Sequence, residues 1–254
     1  MLYADTLVIL PTYNEATNIR PLIEAIQGFL PGVQVLVVDD DSPDGTADVV
    51  RRHCQGEAVR LLLRTSDRGR GRAGIAGFRW SVERAFPYVV EMDADFSHHP
   101  RHLPALVTPV RRGELDVAIG SRQVEGGGER GRSPIRQMVT KLANAYVRGV
   151  MSLPVRDCTS GYRCFRHEVL AAIPWDCLTS VGPSVVEEVL HLVARLGFRI
   201  GEVPILFEER RQGSSQLTLR KLLDTAVKVV EFRLRAESKL ARHRRQRLQG
   251  TSTE

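Results

Sequence analysis

"VQVLVVDDDSPDGTADVVRRHC", residues 33–54, contains three pieces in order: an apolar, β-branched run, an acidic stretch with turn residues, and a segment of helical spacing. The run from Val33 to Val38 is the length of a buried strand and too short for a helix of its own. In "DDDSPDGT" (39–46) four acids fall within six positions beside a Pro and a Gly, and Asp44 or Thr46 is placed to cap the following helix. Similar short runs recur on either side, at "TLVIL" (6–10), "VRLLL" (59–63), "YVVEM" (88–92) and "DVAIG" (116–120). Between them lie helical patterns: a stripe of Ile19, Leu22, Ile23, Ile26 and Phe29, then "TADVVRRHC" and "GIAGFRWSVERAF". Strand and helix alternate, which predicts an α/β fold with a mainly parallel sheet covered by helices. In such sheets ligands bind beyond the carboxyl ends of the strands.

The chain has 254 residues, 43% of them hydrophobic, enough for one large domain or one domain with an appendage. A formal charge of +6 and a pI near 9.4 favour an anionic partner without separating nucleic acid, phosphorylated metabolite and lipid headgroup. The start of the sequence carries no basic segment or apolar stretch of signal-peptide length, so a cytoplasmic protein is expected. Cys54, Cys158, Cys164 and Cys177 have neither zinc-site spacing nor the density of a disulfide scaffold, and read as reduced structural thiols. No window reaches the ~18 uninterrupted apolar residues of a membrane span, so membrane contact is expected to be peripheral.

The segments after the strands carry the chemistry: "PTYNE" (11–15), "DDDSPDGT", "RTSDRGRGRAG" (64–74), "DADFSHHP" (93–100) and "SRQVEGGGERGRSP" (121–134), all on one sheet edge. Residues i and i+2 of a strand face the same way, so Asp93 and Asp95 can converge on one point and share a hard cation, magnesium or manganese, with phosphate oxygens and water completing its shell. A solvated turn is the bland alternative. Adjacent His98 and His99 point apart and read as structural or surface residues, with His98 an outer-shell candidate. "GRGRAG" (69–74) matches a dinucleotide fingerprint only literally, since that motif belongs after the first strand. Arg68, Arg70 and Arg72, in a mobile glycine-spaced loop, are instead candidates to hold phosphate oxygens, a solvated basic loop being the alternative. Asp39 and Asp40 can accept hydrogen bonds from a base or ribose.

"LPTYNE", "VDDDSPDGT", "EMDADFSHHP", "IGSR", "DCTSGYRCF" and "IGEVPILFEERRQGSSQL" resemble, in this order, the polyprenol (dolichol) phosphate mannose synthases among the inverting family 2 glycosyltransferases, from about Thr6 to Leu219. The resemblance implies a GT-A fold, a nucleotide-sugar donor and a divalent metal, Mg2+ or Mn2+. It places Pro11, Tyr13, Glu15, Val38, Asp40 and Ala94 around the nucleoside, and Asp93, Asp95 and Ser97 on the metal. Arg122, Arg136 and Thr140 stand where the family grips the acceptor phosphate, Arg210 where a loop closes over the donor, and Glu188 where the family carries an acid in a supporting role. Two departures stand out. Gln216 replaces the lysine of the usual Ser-Lys-Leu, with Arg211 a substitute cation, and Arg70 and Arg72 replace positions that are usually small or apolar.

Two parts are expected: a GT-A domain over 1–219, and an amphipathic helix with a basic tail over 220–254. In the latter Leu219, Leu222, Leu223, Ala226, Val227, Val230 and Leu234 form a stripe opposite Arg220, Lys221, Lys228 and Arg235, before "RHRRQR". Such a helix can lie in a membrane interface or pack on the core. The expected reaction moves a hexose, mannose from GDP-mannose, onto a polyprenyl phosphate lipid at the cytoplasmic membrane face. UDP-glucose or another nucleotide sugar is the alternative donor, and the resemblance leaves room for a membrane-anchoring partner protein. A nucleic-acid-binding protein is disfavoured by 6% aromatics and the absence of a recognition motif, so no nucleic acid is expected. A catalytically silent nucleotide-sugar module, suggested by Gln216, is a third reading.

Overall fold

The computed structural model describes residues 2–54, 56, 58–178, 180, 182, 184–209 and 229–235. Its main sheet has seven strands in the order β3-β2-β1-β4-β7-β5-β8: β1 Thr6–Thr12, β2 Gln34–Asp39, β3 Val59–Leu63, β4 Tyr88–Glu91, β5 Val117–Ser121, β7 Arg163–Arg166 and β8 Ile200–Pro204. β7 runs antiparallel to β4 and β5, and the other pairings are parallel. Successive side chains alternate between faces. Leu7 and Ile9 join one apolar cluster with α3 (Arg70–Glu83), α5 (Pro134–Met151) and α7 (Val185–Arg195). Val8 and Leu10 join a second with α1 (Ile19–Phe29), α2 (Thr46–His53) and α4 (Leu103–Arg111). The core therefore lies on both faces of the sheet, as the near-continuous apolar strands require. Register sets the site: Thr12 lies opposite Asp39, and Glu91 opposite both Ile9 and Arg163.

Three features differ from the sequence reading. The stretch "RDCTSGYRCF", read as a turn, contains β7. A fully buried Arg163 breaks its apolar pattern, and that guanidinium is satisfied by the carbonyls of Ser160, Val186 and Cys158 at 2.7, 2.5 and 2.8 Å. The expected arginine loop is shorter than predicted, because α3 starts at Arg70, just after Gly69 at φ 138°. Arg70 and Arg72 are therefore in its first turn, and only Arg68 stays in the loop. Glycine at position 77 lets α3 press on β1, since a Cβ there would lie 2.5 Å from Ile9 Cγ2. Finally β6 (Gly128–Arg130) pairs with β9 (Leu206–Glu208) in a small second sheet, and the short α6 spans His167–Ala172.

All four cysteines are free, and burial pushes the Cys158 thiol up to about 12. Of the expected C-terminal helix, residues 229–235 are helical. Val229 and Phe232 are buried against the first cluster, whereas Val230 and Leu234 of the predicted stripe are exposed. The rest of that stripe and the basic tail lie outside the described residues. No described helix is long and apolar enough to cross a membrane.

Candidate active site

The carboxyl ends of β1 and β2 and the start of α3 surround one cavity of about 420 Å3, lined by Pro11, Thr12, Tyr13, Asp40, Arg68, Gly69, Arg70 and Ala73. Its walls are fixed by the acidic loop. Asp39 accepts from Thr12 Oγ1 at 3.0 Å and from the amide and hydroxyl of Ser42 at 2.9 and 2.6 Å. Asp40 accepts from Arg64 at 2.5 Å and from the Gly69 amide at 2.6 Å, which ties the loop before α3 to β2. Asp44 accepts from the amides of Ala16 and Thr46 and from Thr46 Oγ1. Burial works to raise its carboxyl, but these bonds prevail and hold it below the ordinary range. Thr46 Oγ1 in turn accepts from the Glu15 amide at 3.0 Å. Tyr13 is exposed beside this frame, while Val38 and Ala94 are buried in the core, so their side chains do not face the cavity.

Asp93 and Asp95 follow β4, as the spacing predicts. Asp95 Oδ1 accepts from the Ser97 amide at 3.0 Å and hydroxyl at 2.6 Å, so the buried Ser97 steadies Asp95. Asp93 Oδ1 accepts from Arg70 Nε and Nη2 at 3.1 and 3.0 Å, while Arg70 Nη1 donates to the buried Glu91 at 2.7 Å. Burial acts against the Arg70 charge, but Glu91 and Asp93 outweigh it and raise its pKa. His98 is a buried residue, not a surface one: it stacks on Tyr162 at 5.0 Å, and its Nδ1 accepts from the Asp93 amide at 3.2 Å. Burial lowers its pKa against the pull of Asp93 and Asp95.

The donor set suits a hard divalent ion. It offers two carboxylates, and among the described residues no group of three or more His, Cys, Asp or Glu side chains is gathered to cage one. Oxygen donors of this kind, with phosphate oxygens and water beside them, are what magnesium and manganese take.

A second cluster lies beyond β5. Arg122 forks onto the fully buried Asp157 through Nε at 2.8 Å and Nη2 at 2.7 Å, and also donates to Thr159 at 2.8 Å. Burial opposes the Arg122 charge, and the Asp157 bonds more than restore it. Arg132 donates to Glu129 and to Thr140 Oγ1, both at 3.0 Å, and Arg136 pairs with Glu209. Arg122 and Arg132 both lie over the Phe207 ring, at 5.3 and 5.4 Å. The predicted Arg122, Arg136 and Thr140 are thus gathered in one region, while Arg132 and the carboxylates Glu129, Asp157 and Glu209 were missed. Arg132 sits within the arginine-rich stretch after β5, and its spacing before Thr140 was the available signal. Glu188 is buried on α7 with its carboxylate on the Ser180 hydroxyl at 2.5 Å, bracing the segment before that helix. Arg210, Arg211 and Gln216 lie outside the described residues.

A family model described as "Glycosyl transferase family 2" matches residues 7–173. The chain belongs to glycosyl transferase family 2. This glycosyltransferase is 41% identical over 231 residues to the "Undecaprenyl-phosphate mannosyltransferase" of Micrococcus luteus, covering 91% of this chain and 94% of that one. It is 38% identical over 239 residues to the "Polyprenol monophosphomannose synthase" of Mycolicibacterium smegmatis, covering 93% and 90%. Among solved structures it resembles glucosyl-3-phosphoglycerate synthase of Mycobacterium tuberculosis in complex with Mn2+, UDP and phosphoglyceric acid. The TM-score is 0.67 at 23% identity, covering 89% of this chain and 76% of that one. The GT-A fold expected from the motifs is the fold observed.

Proposed function

We propose that the enzyme transfers mannose from GDP-mannose to a polyprenyl phosphate, inverting the anomeric carbon, from the cytoplasmic face of a membrane. The observation that carries this reading is Arg70, which lines the loop-walled cavity and donates to Asp93 of the Asp93/Asp95 pair, in a chain 41% identical to a named undecaprenyl-phosphate mannosyltransferase. The nucleoside lies among Pro11, Tyr13, Glu15 and Asp40. Asp93 and Asp95 would hold Mg2+ or Mn2+, which would supply positive charge against the departing diphosphate. Arg122, Arg132, Arg136 and Thr140 receive the acceptor phosphate, and Arg210, by resemblance, belongs to the loop that closes over the donor.

The acceptor is a phosphate monoester, already anionic near neutral pH, so one of its oxygens attacks without a strong general base. That oxygen forms the new bond to the anomeric carbon from the face opposite the diphosphate, whose oxygen departs with the bonding pair. Both reactants are anions, so the chain's own work is to hold them close against repulsion. The carboxylates of the β4 end and the arginines beyond β5 suit opposite halves of that task.

Peripheral membrane contact is supported by α5. Ile135, Met138, Leu142 and Tyr146 form an exposed stripe along it, and Lys141 and Arg148 are exposed beside them. An amphipathic helix with flanking cations suits an anionic lipid surface.

The test is incubation of the purified full chain with labelled GDP-mannose, UDP-glucose or UDP-N-acetylglucosamine, each with polyprenyl phosphate and manganese. Lipid-soluble label is expected from GDP-mannose. Label from a uridine donor alone overturns the mannose assignment.

A further inference from the structure

We propose that Arg70 is an internal occupant of the cation position on Asp93: in the donor-free enzyme its guanidinium holds that carboxylate, and a divalent ion gains Asp93 only together with the nucleotide diphosphate. The proposal rests on Asp93 and Asp95 being the ion's ligands, and it assigns a role to a residue that departs from the family pattern. Two of Arg70's nitrogens converge on the same Asp93 oxygen, at 3.1 and 3.0 Å, and the third is anchored on the buried Glu91 at 2.7 Å. An arginine does not lose its proton in this range, so it relinquishes Asp93 only by moving or by sharing it.

The seat is built for this guanidinium. A Cβ at Gly74 would lie 2.4 Å from Glu91 Oε1 and 3.3 Å from Arg70 Nη1, and one at Gly161 would lie 3.1 Å from Arg70 Nη2. Glycine at both positions leaves the room it fills. Arg70 also lines the cavity, so the same group faces the space the donor enters.

A fixed positive charge on one ligand lowers the affinity of a cation for the empty site. The diphosphate supplies the opposing charge, so nucleotide and ion bind with positive coupling, and by linkage each favours the other equally. When the diphosphate leaves, Arg70 recovers Asp93, which favours departure of the ion with it.

Mn2+ binding to the full chain, followed by the electron paramagnetic resonance of free Mn2+ with and without GDP or UDP as the donor assay selects, tests this. The wild type is expected to bind Mn2+ at least about tenfold more tightly with the nucleotide. Arg70→Leu should bind Mn2+ alone about tenfold more tightly than the wild type, with the nucleotide effect reduced. Because that change strands Glu91, Arg70→Leu/Glu91→Gln removes both charges together and should behave alike. Arg70→Lys keeps a charge for Glu91 but has no fork to span both carboxylates, and should give a smaller gain. Folded Arg70 variants with wild-type Mn2+ affinity, or a wild type whose Mn2+ affinity ignores the nucleotide, overturn the proposal. If Asp95→Asn keeps wild-type binding of Mn2+ with nucleotide, the ion site itself is elsewhere. If Asp95→Asn loses it while the Arg70 variants match the wild type, only the role of Arg70 falls.

Discussion

The two sides of the proposed site use groups of opposite charge and hold them in different ways. On the proposed donor side the working groups are carboxylates after strand ends, several of them fixed by neighbours in sequence: Ser97 holds Asp95, Ser42 holds Asp39, and Thr46 holds Asp44, while Asp40 and Asp93 are held by the more distant Arg64 and Arg70. On the acceptor side the working groups are arginines on long side chains, and each leans on a carboxylate: Arg122 on Asp157, Arg132 on Glu129, Arg136 on Glu209. A carboxylate at a strand end is oriented by backbone geometry. A long cationic side chain needs a partner to hold it and to keep its charge from standing alone in a buried setting. The lesson is that cation affinity on one side depends on what holds its carboxylates, Ser97 on Asp95 and Arg70 on Asp93, and anion affinity on the other on how firmly internal carboxylates hold the arginines.

The largest effect is expected at the donor side. Asp95→Asn keeps an oxygen for the Ser97 bonds and removes the charge, so the fold should persist while transfer falls about a thousandfold, ~4 kcal/mol of lost charge stabilisation. Turnover in the wild-type range, with an unchanged thermal transition, would take these acids out of the mechanism. Next is Arg122→Ala, which strands the buried Asp157. It should cost about 3–5 kcal/mol in stability, read by urea unfolding, besides raising the acceptor concentration needed for transfer. Arg122→Ala/Asp157→Asn should recover most of the stability and none of the acceptor response. Recovery of both would mean that Arg122 only holds Asp157, which would break the comparison.

The seam between the sides offers a third test. Arg163 lies on β7, between β4 and β5, and its nitrogens are taken by carbonyls. Glu187 nearby is pushed up to about 7, chiefly by burial, against the opposing pull of Arg163. A raised carboxyl is held protonated in the folded state, so its contribution is fully present below the ordinary 4.5 and is lost as pH rises through about 7. Urea unfolding between pH 4.5 and 8 should show a loss on the order of 3 kcal/mol that Glu187→Gln removes. Equal slopes in the two proteins would mean that Glu187 is ionised and that Arg163 is answered by a carboxylate after all.

The same contrast explains what the sequence disclosed. The loops after β2 and β4 were legible because strand, turn and helix are contiguous there, so "DDDSPDGT" and "DADFSHHP" declare their position at the strand ends. The partners of Arg70 lie 21 and 23 residues away, and Asp157 lies 35 residues from Arg122. No local spacing encodes those pairs. β7 was hidden because a four-residue strand opens on a buried arginine, and the start of α3 because a glycine such as Gly74 marks close packing, not a loop. Along the closing stripe, Val229 and Phe232 are buried while Val230 and Leu234 face outward, an arrangement that periodicity alone leaves open.

The smallest effect separates the acceptor's headgroup from its lipid. If the arginines beyond β5 meet a phosphate whose tail stays in a bilayer, the apolar side of α5 should meet the same bilayer. Ile135 and Leu142 are 77% and 63% exposed, more than packing on the chain's own core would leave. Leu142→Ser should weaken binding to vesicles containing anionic phospholipid about tenfold, roughly the ~1.5 kcal/mol of one partly buried leucine. Transfer to a short, water-soluble prenyl phosphate should be unchanged, since the Leu142 side chain is apolar and faces outward. Unchanged vesicle binding in Leu142→Ser and in Ile135→Ser alike would move the membrane contact off α5 and leave the acceptor side with a phosphate grip but no bilayer seat beside it.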